Sequence, residues 1–387
     1  MKSKNVFKRS AISCVVMASL SGPVLSQDVV YPDPYWVSDT PESHGFDSAA
    51  LENLKTYAQS INSDSLLIIK DGYIILEEYW DGGNQNTQRQ AWSVTKSFTG
   101  LISGIAADQG LIATTDRASD AVTEWQGTDS EPVVVDQLLR NTSGRYADCN
   151  TDTFPFSYLE TGGQYPSRPD LTQYAIDQPK VRWGKKKQQH EPGTVWGYNN
   201  MAIQTLDRVI SIAAGMTTKS FAEQSLLAPL EMNATTIGTD REGHMVMAAG
   251  ITSSARDLAR IGYLTLNNGQ WKDQQVVSEA YISNMLSPGV NPLNNAYGYL
   301  WWLNTEEGEE WNNPAVESDV KCVSGQPQFT QRYPDAPLDL YLAAGNKGQY
   351  IIVSPSENLV IVRQGNTASE EVWVNNLYKE TAAAMLP

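Results

Sequence analysis

The chain predicts an α/β (α+β) fold in two domains, an antiparallel sheet flanked by helices and interrupted by an inserted helical domain. Three observations carry this. Runs rich in β-branched and aromatic residues lie at both ends of the chain, SLLIIK and YIILEEYW early, LDLYLAAG, QYIIVSP and ENLVIVRQG late. Between them, from about residue 91 to residue 244, the pattern is mostly helical with long loops. The first two runs are joined by Asp71-Gly72, a dipeptide suited to the tight turn of a hairpin, so they form adjacent antiparallel strands. Strands from both termini with helices between them describe a sheet domain, residues 27–90 and 245–387, split by a helical domain, residues 91–244. The 387 residues suffice for two such units, and 41% apolar composition gives each a core.

Taken in order, MKSKNVFKR is a basic leader and SAISCVVMASLSGPVLS a short apolar stretch ending in small residues before Gln27. Residues 1–26 read as a secretory signal peptide, which directs the mature chain to the periplasm or the exterior. GFDSAALENLKTYAQ is a helix capped at Asp47 or Ser48, and the hairpin follows. EPVVVDQLLRNTSG is a helix ending at a turn with Gly144. The next stretch, RYADCNTDTFPFSYLETGGQYPSRPD, lacks periodicity, as loops near a site often do. A helix capped by Ser253 or Ser254 covers SSARDLARIGYLTL, AYGYLWWLN is β-rich, and EVWVNNLYKETAAAML closes the chain as a helix.

Composition excludes several functions. The net charge is −16, and loss of the leader with its four cations makes it −20. Such a surface repels nucleic acid and anionic lipid. Beyond the leader no apolar run is long enough to cross a membrane. The mature chain keeps Cys149 and Cys322, which form one bridge or remain two thiols. With three histidines, and no CxxC or HExxH, neither a zinc site nor another cofactor is expected.

The chemistry begins at AWSVTKSFTG, where Ser93 and Lys96 lie three apart and share one helix face. Val94, Phe98, Leu101, Ile102 and Ile105 form an apolar stripe that buries this helix. At a helix N-terminus, free N–H groups and the helix dipole favour an oxyanion. A lysine desolvated by the core loses its proton more readily and can act as a base. The same pair also reads as an ordinary helix cap, and a second Ser-x-x-Lys occurs at Ser318–Lys321. A second element weighs against the cap: Tyr198-Asn199-Asn200 is the only Tyr-x-Asn among 18 tyrosines. Tyrosine beside lysine can shuttle a proton, and asparagine can bind the lysine or a carbonyl.

The order SVTK, LLRNTSG, PGTVWGYNN, GITSSARDLARIG, AAGNKGQYIIVSP resembles the serine β-lactamase and penicillin-binding-protein superfamily, over roughly residues 41–387. Tyr-x-Asn is similar to the class C β-lactamase branch, and SLLIIKDG, SVTKSFTG and the paired tryptophans of YGYLWWLN look closest to 6-aminohexanoate-dimer hydrolases. The resemblance implies Ser93 as acylated nucleophile, Lys96 with Tyr198 as the base system, and Asn200 as support for the lysine or the substrate. It implies an oxyanion hole from the Ser93 N–H and a strand edge around Gly345-Asn346. At that edge the chain departs from the family's Lys-Thr-Gly or His-x-Gly, offering AAGNKGQ instead. This favours a small-molecule ester or linear amide over a β-lactam or D-amino-acid peptide, while an acylated sensor that does not turn over is a further alternative. Lys347 reads as a solvated turn residue, as does GKKKQQH. Trp92, Trp183, Trp196, Trp301 and Trp302 read as core or as the lining of an acyl pocket. A Ser-His-Asp triad is disfavoured by the loop positions of His44, His190 and His244, and no Gly-x-Ser-x-Gly occurs.

Overall fold

The computed structural model describes residues 29–145, 170–177, 190–290, 293–305, 331–366 and 372–386. The leader, Cys149, Cys322, Trp183 and the Ser318–Lys321 match lie outside the described residues.

Helix α1 (Ser48–Ser60) starts where Asp47 accepts hydrogen bonds from the N–H groups of Ala49 and Ala50. Strands β1 (Ser63–Lys70) and β2 (Tyr73–Tyr79) pair antiparallel with Lys70 opposite Tyr73. The Asp71-Gly72 turn has φ of +54° and +89°, the left-handed pair that a two-residue hairpin needs. Strand β3 (Arg89–Gln90) then leads into α2 (Val94–Asp108), which is buried from Val94 to Ala106. Short helices follow: α3 (Val135–Leu139), α4 (Leu171–Asp177), α5 (Asn200–Gln204), α6 (Leu206–Ala214) and α7 (Thr218–Ala222). Helix α3 is shorter than the helix expected over EPVVVDQLLRNTSG. Val134 is extended and bridged to Arg117, as suits a run of three β-branched valines.

Strands β4 (Thr235–Ile237) and β5 (Ile251–Ser253) join β3 in a small sheet, with β5 central. Helix α8 (Ala255–Leu266) is capped by Ser254, and the hairpin β6 (Gln270–Trp271) and β7 (Gln274–Gln275) and helix α9 (Glu279–Met285) come next. The chain returns through β8 (Trp302–Leu303), β9 (Tyr341–Gly345), β10 (Gln349–Ser354), β11 (Leu359–Gly365) and α10 (Val372–Ala383). The main sheet runs β2-β1-β11-β10-β9-β8, every pairing antiparallel, so strands from the two ends of the chain meet at β1 and β11. Strand alternation sorts the core into two layers. Leu66, Ile68, Ile352 and Ile361 pack with Leu51, Leu54 and Leu377 of α1 and α10. Leu67, Ile69, Ile351 and Val362 face the other way, with Phe98 of α2 and Leu258 of α8. Helix α2 is thereby fixed between the sheet and the helical part, with its N-terminus near the end of β9.

An ionic latch fixes α4. His244 Nδ1 lies 3.2 Å from both Asp170 Oδ1 and Asp240 Oδ2, while Asp240 also accepts from the N–H groups of Leu171, Glu242 and His244. The hydrogen bond to Asp240 is the main cause that raises His244 from 6.5 to about 9. A raised cation stabilises the fold fully below its unfolded value, and that contribution is lost as pH rises through the folded value. Urea midpoints are therefore expected to fall between about pH 7 and 9.5 in the wild type, and His244→Gln to remove most of that slope. Equal slopes in both proteins would refute the latch.

Candidate active site

The site starts from a strained corner. The Ala91 N–H donates to Ile251 O at 2.8 Å, continuing the β3–β5 pairing, and the chain then turns at Trp92 with φ of +52°. A bulky residue in the left-handed region costs on the order of 1–3 kcal/mol and is retained only where its surroundings impose it. Trp92 is 4% exposed, and its carbonyl accepts the Thr95 N–H at 3.0 Å. The corner delivers Ser93 to the start of α2, where its side chain makes no capping bond. It occupies the cap position without capping.

Its Oγ instead accepts from Lys96 Nζ at 2.8 Å. Lys96 is 1% exposed, and its other acceptor is Ala248 O at 2.9 Å. No carboxylate forms an ion pair with it among the described residues, so desolvation is unopposed and holds the amine well below the usual lysine range. Tyr198 closes the group from the helical side. Its ring centroid lies 4.7 Å from Lys96 Nζ, and its phenol interacts with the Ser93 side chain. Burial pushes the phenol well above its ordinary value, and the Ser93 contact offsets this only in part. Hydroxyl, amine and phenol thus lie together in one cluster whose chemistry suits moving a proton to and from Ser93 Oγ.

Asn200 opens α5. It was read as a support for the lysine or the substrate. Its Oδ1 is buried without a hydrogen-bond partner among the described residues, and the acceptors of Lys96 are elsewhere. Gly345 ends β9 opposite Gln349. A Cβ built there would meet Ala91 O at 2.4 Å and Ser93 N at 3.2 Å, so only glycine lets this strand end approach the Ser93 corner. Asn346 follows, exposed, with its Oδ1 accepting the Lys347 N–H at 2.9 Å. Lys347 is half-buried rather than solvated. Its Nζ sits 5.5 Å from the Trp92 ring centroid and 3.4 Å from Asn366 Oδ1, beside a cleft of about 510 Å³.

Several contributors carried no readable sequence signal. Ala248 O acts through its backbone, so side-chain identity says nothing about it. Trp302 lies stacked on Tyr198 at 6.0 Å and 14°, with Tyr297 edge-on at 4.7 Å and the Arg332 guanidinium 4.1 Å from its ring. Of the other tryptophans proposed as lining, Trp196 and Trp301 are buried in the core. Arg363, fully buried, donates to Gly348 O at 2.6 Å, Ile61 O at 2.6 Å and Ser63 Oγ at 2.7 Å, which ties the β9–β10 turn to β1. Among the described residues, Asp170, Asp240 and His244 are the one group spaced for a metal ion, and their atoms are engaged in the α4 latch.

The family model described as Beta-lactamase matches residues 48–384. The 6-aminohexanoate-dimer hydrolase of Paenarthrobacter ureafaciens is 22% identical over 308 residues, covering 73% of this chain and 78% of its own. A Bacillus anthracis protein proposed as a 6-aminohexanoate-dimer hydrolase superposes with a TM-score of 0.69 at 20% identity, covering 93% of this chain and 92% of its own. The class C beta lactamase of Rhodobacter sphaeroides has a TM-score of 0.62 at 18% identity, covering 87% and 99%. At these identities the structural likeness speaks for the fold.

The contact at Gly345 yields a direct test. Gly345→Ala is expected to push β9 away from Ser93 and slow fluorophosphonate labelling of Ser93 by about 10² or more, the typical loss when one oxyanion donor is displaced. Unchanged labelling would mean that this strand end has no part in the site.

Proposed function

The chain belongs to the Beta-lactamase family, and we propose that it is a serine hydrolase cleaving a small ester or linear amide through a Ser93 acyl-enzyme. The observation that carries this is the 2.8 Å contact between Ser93 Oγ and a buried Lys96 amine that has no acid partner among the described residues. The amine is pulled down and the Tyr198 phenol pushed up, both toward their neutral forms. Lys96 then accepts the serine proton, directly or with Tyr198 relaying it, as Ser93 Oγ attacks the substrate carbonyl. The Ser93 N–H and an N–H at Gly345-Asn346 stabilise the tetrahedral oxyanion. Collapse breaks the ester or amide bond, and Tyr198 returns the proton to the leaving oxygen or nitrogen. Water repeats the sequence on the acyl-enzyme, releasing acid and restoring Ser93. Asn200, with its open Oδ1, is assigned to the substrate.

Two features support the substrate class. The third element reads Ala343-Ala344-Gly345, without the side chains that a β-lactam or peptide carboxylate would meet in the family's Lys-Thr-Gly. Hydrolysis of a 6-aminohexanoate dimer is also what the name of the Paenarthrobacter relative describes. A β-lactamase or D-amino-acid peptidase is the alternative within the same chemistry, and an acylated sensor the alternative without turnover. The basic, then apolar leader supports export to the periplasm or beyond. No helix among the described residues is long and apolar enough to cross a membrane.

Three substrates compared side by side decide the class: a nitrophenyl short-chain ester, a chromogenic cephalosporin and the linear 6-aminohexanoate dimer. The ester and the linear amide are expected to turn over, and Ser93→Ala to abolish both. Lys96→Arg is expected to lose about 10³-fold or more, because arginine keeps its proton at any working pH. The acid limb of kcat/KM should lie below the ordinary lysine value of 10.5. Preference for the cephalosporin would move the chain to the alternative, and a stable adduct without release would make it a sensor.

A further inference from the structure

We propose that Asn141 is a positioning residue for Tyr198, holding the phenol in register with Ser93 and Lys96 by clamping the peptide groups on both sides of it. This rests on the reading of Tyr198 as part of the base system. Asn141 follows α3, is 2% exposed and has φ of +60°, a region that asparagine tolerates better than most residues. Its backbone oxygen accepts the Gly197 N–H at 2.9 Å, and its side-chain Oδ1 accepts the Asn199 N–H at 3.1 Å. The N–H groups immediately before and after Tyr198 therefore end on one residue.

The pairing continues outward. Gly193 N donates to Thr142 O at 2.7 Å, and Asn199 Nδ2 donates to Arg145 O at 3.0 Å. Asn199 Oδ1 meanwhile accepts from the N–H groups of Met201 and Ala202, so it starts α5 while its amide is held from the far side. The NTSG segment is thus a rigid edge against which the Tyr198 loop is laid. Packing on Trp302 fixes the ring's plane, but stacked rings slide easily, and two directed hydrogen bonds fix its place along that plane. Asn141 touches no reacting atom and acts through the loop.

The experiment compares Asn141→Gly, which tolerates the same backbone conformation and keeps the carbonyl but removes the whole carboxamide, with Asn141→Asp, which keeps an accepting oxygen. Fluorophosphonate labelling of Ser93, kcat and KM on the nitrophenyl ester, and Tm are measured for both beside wild type and Ser93→Ala. Asn141→Gly is expected to lower labelling and kcat by about 10- to 100-fold, the scale of a misplacement near 1 Å, with KM within about twofold. Its acid limb should move to higher pH, because a displaced ring admits water to Lys96 and restores the amine's affinity for its proton. Asn141→Asp should recover most of the rate. The clamp is overturned if Asn141→Gly keeps wild-type rates, if Asn141→Asp loses as much as Asn141→Gly, or if the loss follows Tm with an unmoved acid limb. Wild type that fails to label at Ser93 would instead remove the proposed function.

Discussion

A lysine amine shut off from solvent, with no counter-charge among the described residues, is the constraint on which the site rests. An isolated ammonium in such a place carries a desolvation cost of several kcal/mol, and that cost lowers the amine's affinity for its proton. Two neutral acceptors, Ser93 Oγ and Ala248 O, keep the amine in place without holding it charged. A carboxylate there would make an ordinary buried ion pair and end its use as a base.

Four separate parts of the chain must meet to build that environment. Helix α2 brings Ser93 and Lys96 and is itself buried along almost its whole length. The segment before β5 supplies Ala248 O and is tied to α2 again by Thr99 Oγ1 donating to Met247 O at 2.8 Å and Ile251 N donating to Thr95 Oγ1 at 3.0 Å. The Tyr198 loop closes the third side, laid against NTSG and roofed by Trp302 and Tyr297. On the fourth side β9 presses its glycine against the serine corner. Ser93 is held at a helix terminus under backbone strain, so the surrounding packing must be stiff, and the continuous core around α2 supplies that stiffness.

The opposite wall depends on a buried cation of another kind. Arg363 is also deprived of solvent, and burial pulls it from 12.5 down to about 10. A guanidinium remains charged at neutral pH, and each of its three nitrogens donates to an oxygen, in the β9–β10 turn, the α1–β1 connection and β1. Burial pulls one buried cation toward its neutral form, while the other keeps its charge and holds the β9–β10 turn to the sheet. The difference lies in intrinsic basicity and in the number of acceptors each is given.

Much of this was legible in order along the chain. The Asp71-Gly72 hairpin, the Asp47 and Ser254 caps and the late strands follow from local conformational preference, which needs no knowledge of distant residues. The apolar stripe behind Ser93 and Lys96 likewise fixed which face of α2 is buried, and the helical period put both side chains on one side. Periodicity erred where propensities conflict, as at Val133–Val135. What tertiary structure alone decided is everything defined by proximity across the chain: the burial of Lys96 with no acid beside it among the described residues, the backbone oxygen of Ala248, the approach of Gly345, the hydrogen bonds of Asn141 on both sides of Tyr198. Backbone groups are the same at every residue, and burial is a property of all the neighbours at once. The sequence therefore determined which groups could react, and the fold decided which of them was left dry enough, and held closely enough, to do so.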